Sequence, residues 1–228
     1  MPLASTTPKP ARTRRPRTVP RKAPTQERAQ VTVTAILDAT AKLLTTLGYD
    51  RTSTNRVAVA AGVSVGSLYQ YFPSKEALVA ALAERHGKEM SRVTQEKLAE
   101  LANAPLELAA RELVSAMVDA HLVDPKLHKV LMEQVPRVGR LDRLESYERE
   151  MCQLVRTALE LRRHDIAPTN LDVAAFVLTH AVEGVIHHAV FEAHRGALDR
   201  EGLADETATL IVRYLRRDGV NPSKLPRV

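Results

Sequence analysis

Apolar residues recur at spacings of three and four along nearly the whole chain from Thr25 onwards, and this pattern constrains the fold more than any other feature. Such spacing places side chains on one face of an α-helix, whereas a half-buried strand would alternate apolar and polar residues. The chain contains no alternating run and no internal repeat. We therefore predict an all-α protein with about nine helices. The first apolar stripe consists of Val33, Ile36, Leu37, Thr40, Leu43, Leu44 and Leu47.

Length and composition fit a globular protein. The 228 residues are 44% hydrophobic, which suits one domain of ordinary size or two small ones. Cys152 is the single cysteine, so it cannot form an intramolecular disulfide, and a reducing compartment is favoured. No apolar run approaches the roughly 18 residues that a membrane span requires. We expect a cytoplasmic protein without a membrane segment.

Serine and glycine residues divide the helical pattern into separate elements. Ser53, Ser64 and Ser74 each precede a predicted helix, and their hydroxyls can accept hydrogen bonds from its first turn. Gly48 and Gly62 each follow a predicted helix, where glycine readily adopts the left-handed conformation that ends it. The predicted helices cover about residues 25–47, 54–61, 65–71, 75–102, 105–123, 125–135, 141–164, 170–194 and 201–217.

Positive charge is concentrated at the N-terminus. Of the formal net charge of +6, residues 1–24 contribute +7, residues 25–75 contribute +2 and the remainder contributes −3. This asymmetry favours a polyanionic partner at one end of the molecule. Residues 1–24 also hold six of the thirteen prolines, which block helix formation and predict a disordered tail.

Three interpretations of the basic tail are open. It is either a solvated leader or an arm that follows phosphates or the minor groove. An organellar transit peptide ranks third, because the prolines interrupt the amphipathic helix that such a peptide needs.

Two short predicted helices around Gly62 have the proportions of a helix-turn-helix between Ser53 and Phe72. Ala58 is small where the helices cross, and an apolar side consisting of Val57, Val63, Leu68 and Phe72 holds them together. A helix supported in this way fits the major groove of B-DNA, which is about 12 Å wide. The spacing alone is also compatible with two short helices of an ordinary bundle. The outward positions are Val65, Gly66, Ser67, Tyr69, Gln70 and Tyr71.

Three consecutive sequence blocks carry a family resemblance. They are Ala-Gly-Val-Ser at Ala61–Ser64, Leu-Tyr-Gln-Tyr-Phe at Leu68–Phe72 and Ser-Lys-Glu-Ala-Leu at Ser74–Leu78. In this order they resemble the signature of the tetracycline-repressor (TetR/AcrR) family of transcriptional regulators. The resemblance covers about residues 28–80.

The resemblance implies a three-helix DNA-binding domain, a long connecting helix and a C-terminal domain for ligand binding and dimerisation. We accordingly expect the tail at residues 1–24, the helix-turn-helix domain at 25–75 and a regulatory domain at 76–228. It also implies the DNA contacts. Phosphate or sugar contacts are implied for Tyr69, Tyr71 and Lys75, and contacts to the backbone or to bases for Ser53, Thr54 and Asn55. The implied base-facing positions are Val65, Gly66, Ser67 and Gln70.

The second helix of the motif, at about residues 65–71, is the predicted recognition helix, and it contains no lysine or arginine. Its own side chains therefore supply no positive charge for binding phosphates. We expect Lys75 and the basic tail to supply much of the affinity for phosphates. Gln70 is suited to pair with adenine N6 and N7, and Val65 to contact a thymine methyl group.

One C-terminal helical face carries His180, Glu183 and His187, with His188 and His194 nearby. Their spacing is compatible with zinc. The same helix is rich in small and apolar residues, which favours packed histidines over a metal. The resemblance places this helix in the dimer interface, for which we predict Val177, Ala181, Gly184, His187 and His188.

Flexible and aromatic side chains of the C-terminal region are candidates for lining an effector cavity. The predicted set is Met117, Met132, Tyr147, Met151 and Phe176, although each of them taken singly is more typical of an ordinary helical core.

No phosphate-binding loop, paired-cysteine motif or nucleophile elbow occurs in the chain, so we predict no enzyme, cofactor or bound metal. The predicted function is a ligand-responsive repressor that binds double-stranded DNA as a homodimer on a palindromic operator, with an unidentified small-molecule effector. The alternatives are a helical-bundle metalloenzyme that uses the face of His180, Glu183 and His187, and a tail-driven nucleic-acid binder without sequence preference.

Overall fold

The computed structural model describes residues 23–134, 141–193 and 199–216, and within these ranges it contains nine helices and no named strand. The predicted all-α fold is confirmed. The helices are α1 (Ala23–Leu47), α2 (Thr54–Ala61), α3 (Val65–Tyr71), α4 (Lys75–Glu100), α5 (Leu106–Leu122), α6 (Pro125–Gln134), α7 (Leu141–Leu161), α8 (Leu171–Ala193) and α9 (Arg200–Leu215).

The predicted helix boundaries agree with the structure to within about three residues. The Oγ atoms of Ser53, Ser64 and Ser74 accept hydrogen bonds from the first turns of α2, α3 and α4. Gly48 and Gly62 have φ values of +77° and +69°. They are the described residues with positive φ, and both stand directly after a helix, where only glycine takes this conformation without strain.

The N-terminal core is formed by α1 to α4 together with one later helix. Ile36 of α1, Val57 of α2 and Leu68 of α3 are completely buried within it. Leu78 of α4 joins them, and so does Leu131 of α6, which lies far along the sequence. Apolar burial therefore attaches both α4 and α6 to the three-helix unit.

A second core is formed by α5, α7, α8 and α9, against which α4 also packs. Helices α5 and α9 lie side by side along much of their length, and so do α7 and α8. Because α4 contacts α1 in one core and both α5 and α7 in the other, it is the main mechanical connection between them.

Two predictions lie partly outside the described residues. Of the predicted tail at 1–24, only Ala23 and Pro24 are described, and they begin α1. Proline is tolerated there because the first turn of a helix leaves its N–H groups unpaired. His194 also lies outside the described ranges. Among the residues that are described, no helix has the length and apolar character needed to cross a membrane.

Candidate nucleic-acid interface and C-terminal sites

Helices α2 and α3 form the expected helix-turn-helix. Val57, Ala58 and Leu68 are completely buried, and Phe72 is nearly so. Val63 is only half-buried. The turn is closed by two backbone hydrogen bonds, from Gly62 N to Val59 O and from Val63 N to Ala58 O. The predicted apolar side is thus confirmed, and it fixes the direction in which α3 projects.

The opposite side of α3 faces outward. Val65, Tyr69 and Tyr71 expose 39%, 48% and 38% of their surface, although they are large apolar or aromatic residues. Gly66 and Gln70 are also exposed. A patch of exposed apolar and aromatic groups on such a short helix marks a contact surface.

Hydroxyl groups organise the edge of this surface. Ser64 Oγ accepts a hydrogen bond from Ser67 N at 3.0 Å and lies 2.8 Å from Ser67 Oγ. Thr54 Oγ1 lies 3.1 Å from the Tyr69 hydroxyl, which joins the start of α2 to the exposed side of α3. Asn55, next to Thr54, is exposed.

Lys75 is engaged within the protein. Its Nζ donates to the Tyr49 carbonyl oxygen at 3.0 Å and lies 3.8 Å from the centroid of the Tyr49 ring. The Tyr49 hydroxyl in turn donates to Glu76 Oε1 at 3.2 Å. Burial, followed by the charge of Glu76, raises the pKa of Tyr49. Lys75 therefore holds the loop after α1 against the start of α4, and only its remaining N–H groups are available for a phosphate.

Sequence reasoning missed two cations beside the motif. Arg51 and Arg56 are exposed next to Ser53. Arg51 Nε donates to the Leu47 carbonyl at 3.0 Å, and Arg56 Nη1 donates to the Arg51 carbonyl at 2.8 Å. These bonds occupy part of each guanidinium fork and leave other donors for a phosphate. Their nearness to the cap of α2 is the sequence signal that could have identified them.

The predicted cavity residues lie in different places. Met117 and Met151 are almost fully buried in the C-terminal core, and Met132 is half-buried on α6. Phe176 is 57% exposed on the outer side of α8, where it borders an open groove with Cys152 of α7. Tyr147, the fifth member of the predicted set, packs against the C-terminal core.

Helix α4 contacts three of the C-terminal groups directly. Thr94 Oγ1 lies 2.9 Å from Met117 Sδ, and Ser91 Oγ lies 3.9 Å from Met151 Sδ. At Gly87 an added Cβ would lie 3.1 Å from the Tyr147 ring, so a larger residue would require the ring to move by a few tenths of an ångström.

A half-buried acid, Glu183, and a half-buried phenol, Tyr147, lie close together behind this contact. Glu183 Oε1 is buried without a hydrogen-bond partner. Burial raises the pKa of both groups. An unpaired carboxylate oxygen in a helical core destabilises the ionised form of the acid.

The alternative of a metal site on the face of His180, Glu183 and His187 has no support, because the helix points two of its members in different directions. His180 Nδ1 donates a hydrogen bond to the Phe176 carbonyl oxygen at 2.9 Å, and the His180 ring stacks on the Phe176 ring with 4.1 Å between the centroids. His187 instead turns inward towards histidines of other helices. Of the predicted dimer residues, Val177 and His188 are exposed and Ala181 and Gly184 are half-buried.

Four histidines from four different helices lie close together. They are His86 of α4, His121 of α5, His128 of α6 and His187 of α8, with neighbouring ring centroids between 4.7 and 6.1 Å apart. We call them the histidine cluster. His121 and His128 each expose only 2% of their surface.

Burial lowers the pKa of every member of the histidine cluster, to about 4 for His86 and His187 and to about 2 for His128. The four rings are therefore neutral near pH 7. Sequence reasoning missed three of them, since nothing in the local pattern connects residues from separate helices.

Comparison with known families gives a consistent result along the chain. A model of the bacterial tetR regulatory proteins matches residues 36–82, and a model of the tetracyclin repressor-like C-terminal domain matches residues 105–215. The transcriptional regulator AcrR of Shigella flexneri is 23% identical over 201 residues, covering 84% of this chain and 93% of AcrR. The transcriptional repressor KstR of Rhodococcus jostii is 36% identical over 121 residues, which are 48% of this chain and 55% of KstR.

Solved structures share the fold. A TetR-family transcriptional regulator from Mesorhizobium loti superimposes with a TM-score of 0.67 at 19% identity, covering 83% of this chain and 98% of that chain. SmeT in complex with triclosan gives a TM-score of 0.62 at 21% identity, covering 87% of this chain and 100% of that chain. SmeT is described as the repressor of a multidrug efflux pump of Stenotrophomonas maltophilia.

Proposed function

This chain belongs to the TetR family of bacterial transcriptional regulators, and on that premise we propose that it is a ligand-responsive repressor that binds a palindromic operator as a homodimer. It is a DNA-binding regulator and not an enzyme. A repressor of this kind works beside the chromosome, so we place it in the bacterial cytoplasm.

The observation that carries the proposal is the exposed side of α3. Leu68 is buried and anchors the helix, and the outer surface is uncharged and exposed to solvent. We propose that Val65, Gly66, Ser67 and Gln70 face the bases of the major groove. The Gln70 amide can donate to adenine N7 and accept from adenine N6, and Val65 can contact a thymine methyl group.

We propose that the residues around this surface contact the sugar-phosphate backbone of the DNA. Those proposed to contact phosphate or sugar are Ser53, Thr54, Asn55, Tyr69, Tyr71 and Lys75. Arg51 and Arg56 join this set, because both are exposed cations at the same edge. Phosphate contacts fix the register of the protein on the duplex, whereas base contacts specify the sequence.

The proposed dimer surface is the outer side of α8. Val173, Phe176 and Val177 expose 54%, 57% and 41% of their surface there. Burial of such a patch against its two-fold copy is favourable at roughly 25 cal/mol per Å² of apolar area. Val177, Ala181, Gly184 and His188 are the proposed interface members from the predicted set. His187 is not proposed again, because it faces the interior.

The proposed effector acts through α4. Three residues of α4 contact the C-terminal core: Gly87 lies against Tyr147, Ser91 against Met151 and Thr94 against Met117. The first turns of α4 are part of the N-terminal core. We keep these three core residues with Met132 and Phe176 as candidate effector contacts. A ligand that prefers one position of α4 changes the distance between the two recognition helices.

Operator selection tests the proposal. Random and genomic DNA fragments are bound to the purified full-length protein at moderate salt, and the enriched sites are footprinted. We expect two related half-sites whose centres lie roughly 34–36 Å apart, or a multiple of this, and one protein dimer per site. Enrichment without any shared sequence would instead support a non-specific nucleic-acid binder.

A matched pair of variants sharpens the experiment. Gln70→Ala should relax the preference at one base pair of each half-site, by about 1–3 kcal/mol of discrimination. Gln95→Ala replaces an exposed glutamine of α4 and should leave the selected sequence unchanged. An unchanged preference for Gln70→Ala would remove Gln70 from the proposed base-reading set.

A further inference from the structure

We infer that His121, His128 and His187 form a site for a divalent transition-metal ion of the zinc class, and that this ion is an effector of the repressor. The second part of the inference rests on the proposed function. The first part, metal binding, does not, and it can be tested separately.

The geometry of the three ligand atoms carries the inference. One ring nitrogen from each of the three histidines lies within 4.8 Å of those of the other two. Zinc binds imidazole nitrogen at about 2.0–2.1 Å, so tetrahedral ligand nitrogens stand roughly 3.4 Å apart. We expect rotation of the rings to bring the three nitrogens, now within 4.8 Å of one another, to this separation when the ion binds. Three neutral imidazoles with an open fourth position suit zinc and its neighbours in the transition series better than magnesium or calcium, which prefer oxygen ligands.

Hydrogen bonds around the histidine cluster orient the ligand nitrogens. His121 Nδ1 lies 2.7 Å from the Met117 carbonyl oxygen. A carbonyl can only accept, so Nδ1 carries the proton and Nε2 keeps its lone pair for a metal. A ring that donates its second N–H to a backbone carbonyl is the usual arrangement of a metal-binding histidine.

His128, like His121, has one ring nitrogen in a hydrogen bond and the other free for a metal. Its Nδ1 lies 2.9 Å from His86 Nε2, and its Nε2 is buried without a hydrogen-bond partner. Buried polar atoms are nearly always paired, so an unpaired ring nitrogen that faces two other histidines calls for a ligand. In the tautomer that leaves His128 Nε2 free for a metal, His128 Nδ1–H donates a hydrogen bond to His86 Nε2. Burial favours the neutral ring, so the Nε2 lone pair is available.

The positions of the ligands connect the metal to DNA binding. His128 lies on α6, which places Leu131 in the N-terminal core, and His86 lies on α4. His121 and His187 lie on α5 and α8, which belong to the C-terminal core. An ion held by α5, α6 and α8 therefore ties the two cores together and favours one arrangement of them.

Metal uptake is the first test. Full-length protein is stripped with a chelator, and Zn²⁺ is then titrated in competition with a chromogenic chelator, with Co²⁺ as a spectroscopic substitute. We expect one ion per chain and visible absorption of tetrahedral Co²⁺. The melting temperature should rise by roughly 5–10 °C at a Zn²⁺ concentration a hundredfold above Kd.

Matched histidine variants assign the site. His187→Gln changes a half-buried ring at the edge of the histidine cluster and should weaken Zn²⁺ binding at least tenfold. His164→Gln replaces an exposed histidine outside the cluster and should bind Zn²⁺ like the wild type. Circular dichroism and melting without metal show that each variant is folded. Absence of stoichiometric Zn²⁺ binding by the wild type, or equal binding by folded His187→Gln, would overturn the site.

Operator binding with and without Zn²⁺ tests the regulatory part. We expect Zn²⁺ to lower the operator affinity of the wild type at least tenfold and to leave that of His187→Gln unchanged. If the apo protein binds an operator but does not bind Zn²⁺, both parts of the inference fail and the proposed function stands. If Zn²⁺ binds without changing the operator affinity, only the regulatory part fails. If Zn²⁺ binds at the histidines and no operator is found, the proposed function fails while the metal site stands.

Discussion

The side-chain hydroxyls of Thr54 and Tyr69 lie 3.1 Å apart and connect the first turn of α2 to the exposed side of α3. This contact lies within the surface that we propose binds DNA. It restricts the Tyr69 ring, which is 48% exposed, to one position at the rim of the recognition helix. Preorganisation of this kind lowers the entropy lost on binding.

Tyr69→Phe should lower operator affinity about fivefold to tenfold, which corresponds to the loss of a hydrogen bond of about 1 kcal/mol. Because the residue is exposed, the free energy of unfolding should change little. Fluorescence anisotropy with a labelled operator measures the affinity. Thr54→Val removes the same bond from the other side, so the double variant should lose less than the sum of the two single effects. Strictly additive effects would show that the two hydroxyls act independently.

Gly62→Ala should destabilise the protein by about 1–2 kcal/mol, because φ is +69° at this position and a Cβ is unfavourable in the left-handed region. An added Cβ would meet no atom within 4 Å, so the cost is conformational and Gly62→Asn should lose less. Urea unfolding measures the change. Gly66→Ala lies inside α3 and should stabilise the helix slightly, by up to about 0.5–1 kcal/mol. Equal effects at the two glycines would contradict the conformational explanation.

Lys75→Met should affect both stability and salt dependence. Loss of the hydrogen bond to the Tyr49 carbonyl and of the interaction with the Tyr49 ring should cost about 1 kcal/mol of unfolding free energy. If the remaining N–H groups contact one phosphate per subunit, the log–log slope of affinity against salt should fall by about 1.8 for the dimer. Lys97→Met, distant on α4 and paired with Glu100, should not change the slope. A stability loss with an unchanged slope would make Lys75 a positioning residue only.

Deletion of residues 1–22 should weaken binding to all DNA sequences and reduce the salt slope by about 0.9 for each phosphate that the tail neutralises in the wild type. The seven cations of this segment are replaced by serine in a second variant of full length, which separates charge from chain length. Both variants should select the same operator as the wild type. A slope that stays the same after the deletion would assign the electrostatic affinity to the folded part, where Arg51 and Arg56 are exposed.

Glu183→Gln should raise the melting temperature at pH 7 but not in acid. Burial raises the folded-state pKa of Glu183 above its ordinary value of 4.5. The native chain therefore keeps a proton that the unfolded chain releases, and stability is lost as the pH rises from the unfolded towards the folded pKa. Melting curves at several pH values should converge below about pH 4.5. Glu206→Gln, exposed on α9, should show no such divergence, and a parallel offset at every pH would contradict the assignment.

The helix-turn-helix is the part of the molecule that the sequence predicted most fully. Serine caps, glycine stops and apolar spacing act between residues close in the chain, so both limits of α2 and the start of α3 followed from Ser53, Gly62 and Ser64, and the end of α3 followed from Pro73. The burial of Val57 and Leu68 followed from the same spacing, because a short turn leaves two helices few ways to pack.

The candidate C-terminal sites could not be predicted in the same way. His180 and His187 share a helical face by spacing, yet His180 stacks on Phe176 and His187 joins the histidine cluster. The apolar face of a helix spans a wide angle around its axis. The angle at which neighbouring helices cross this face decides which of its residues are buried. The interior position of His121 and His128 depends on the same packing.

The sequence by itself determined the all-α class, the position of every described helix and the surface proposed for DNA, because these depend on capping, helical period and contacts between near neighbours. Only the tertiary structure decided that α6 joins the N-terminal core through Leu131, that Lys75 binds the Tyr49 carbonyl, and that four histidines from four helices converge. These features depend on how distant helices pack, and close packing selects one arrangement among many that share the same local pattern.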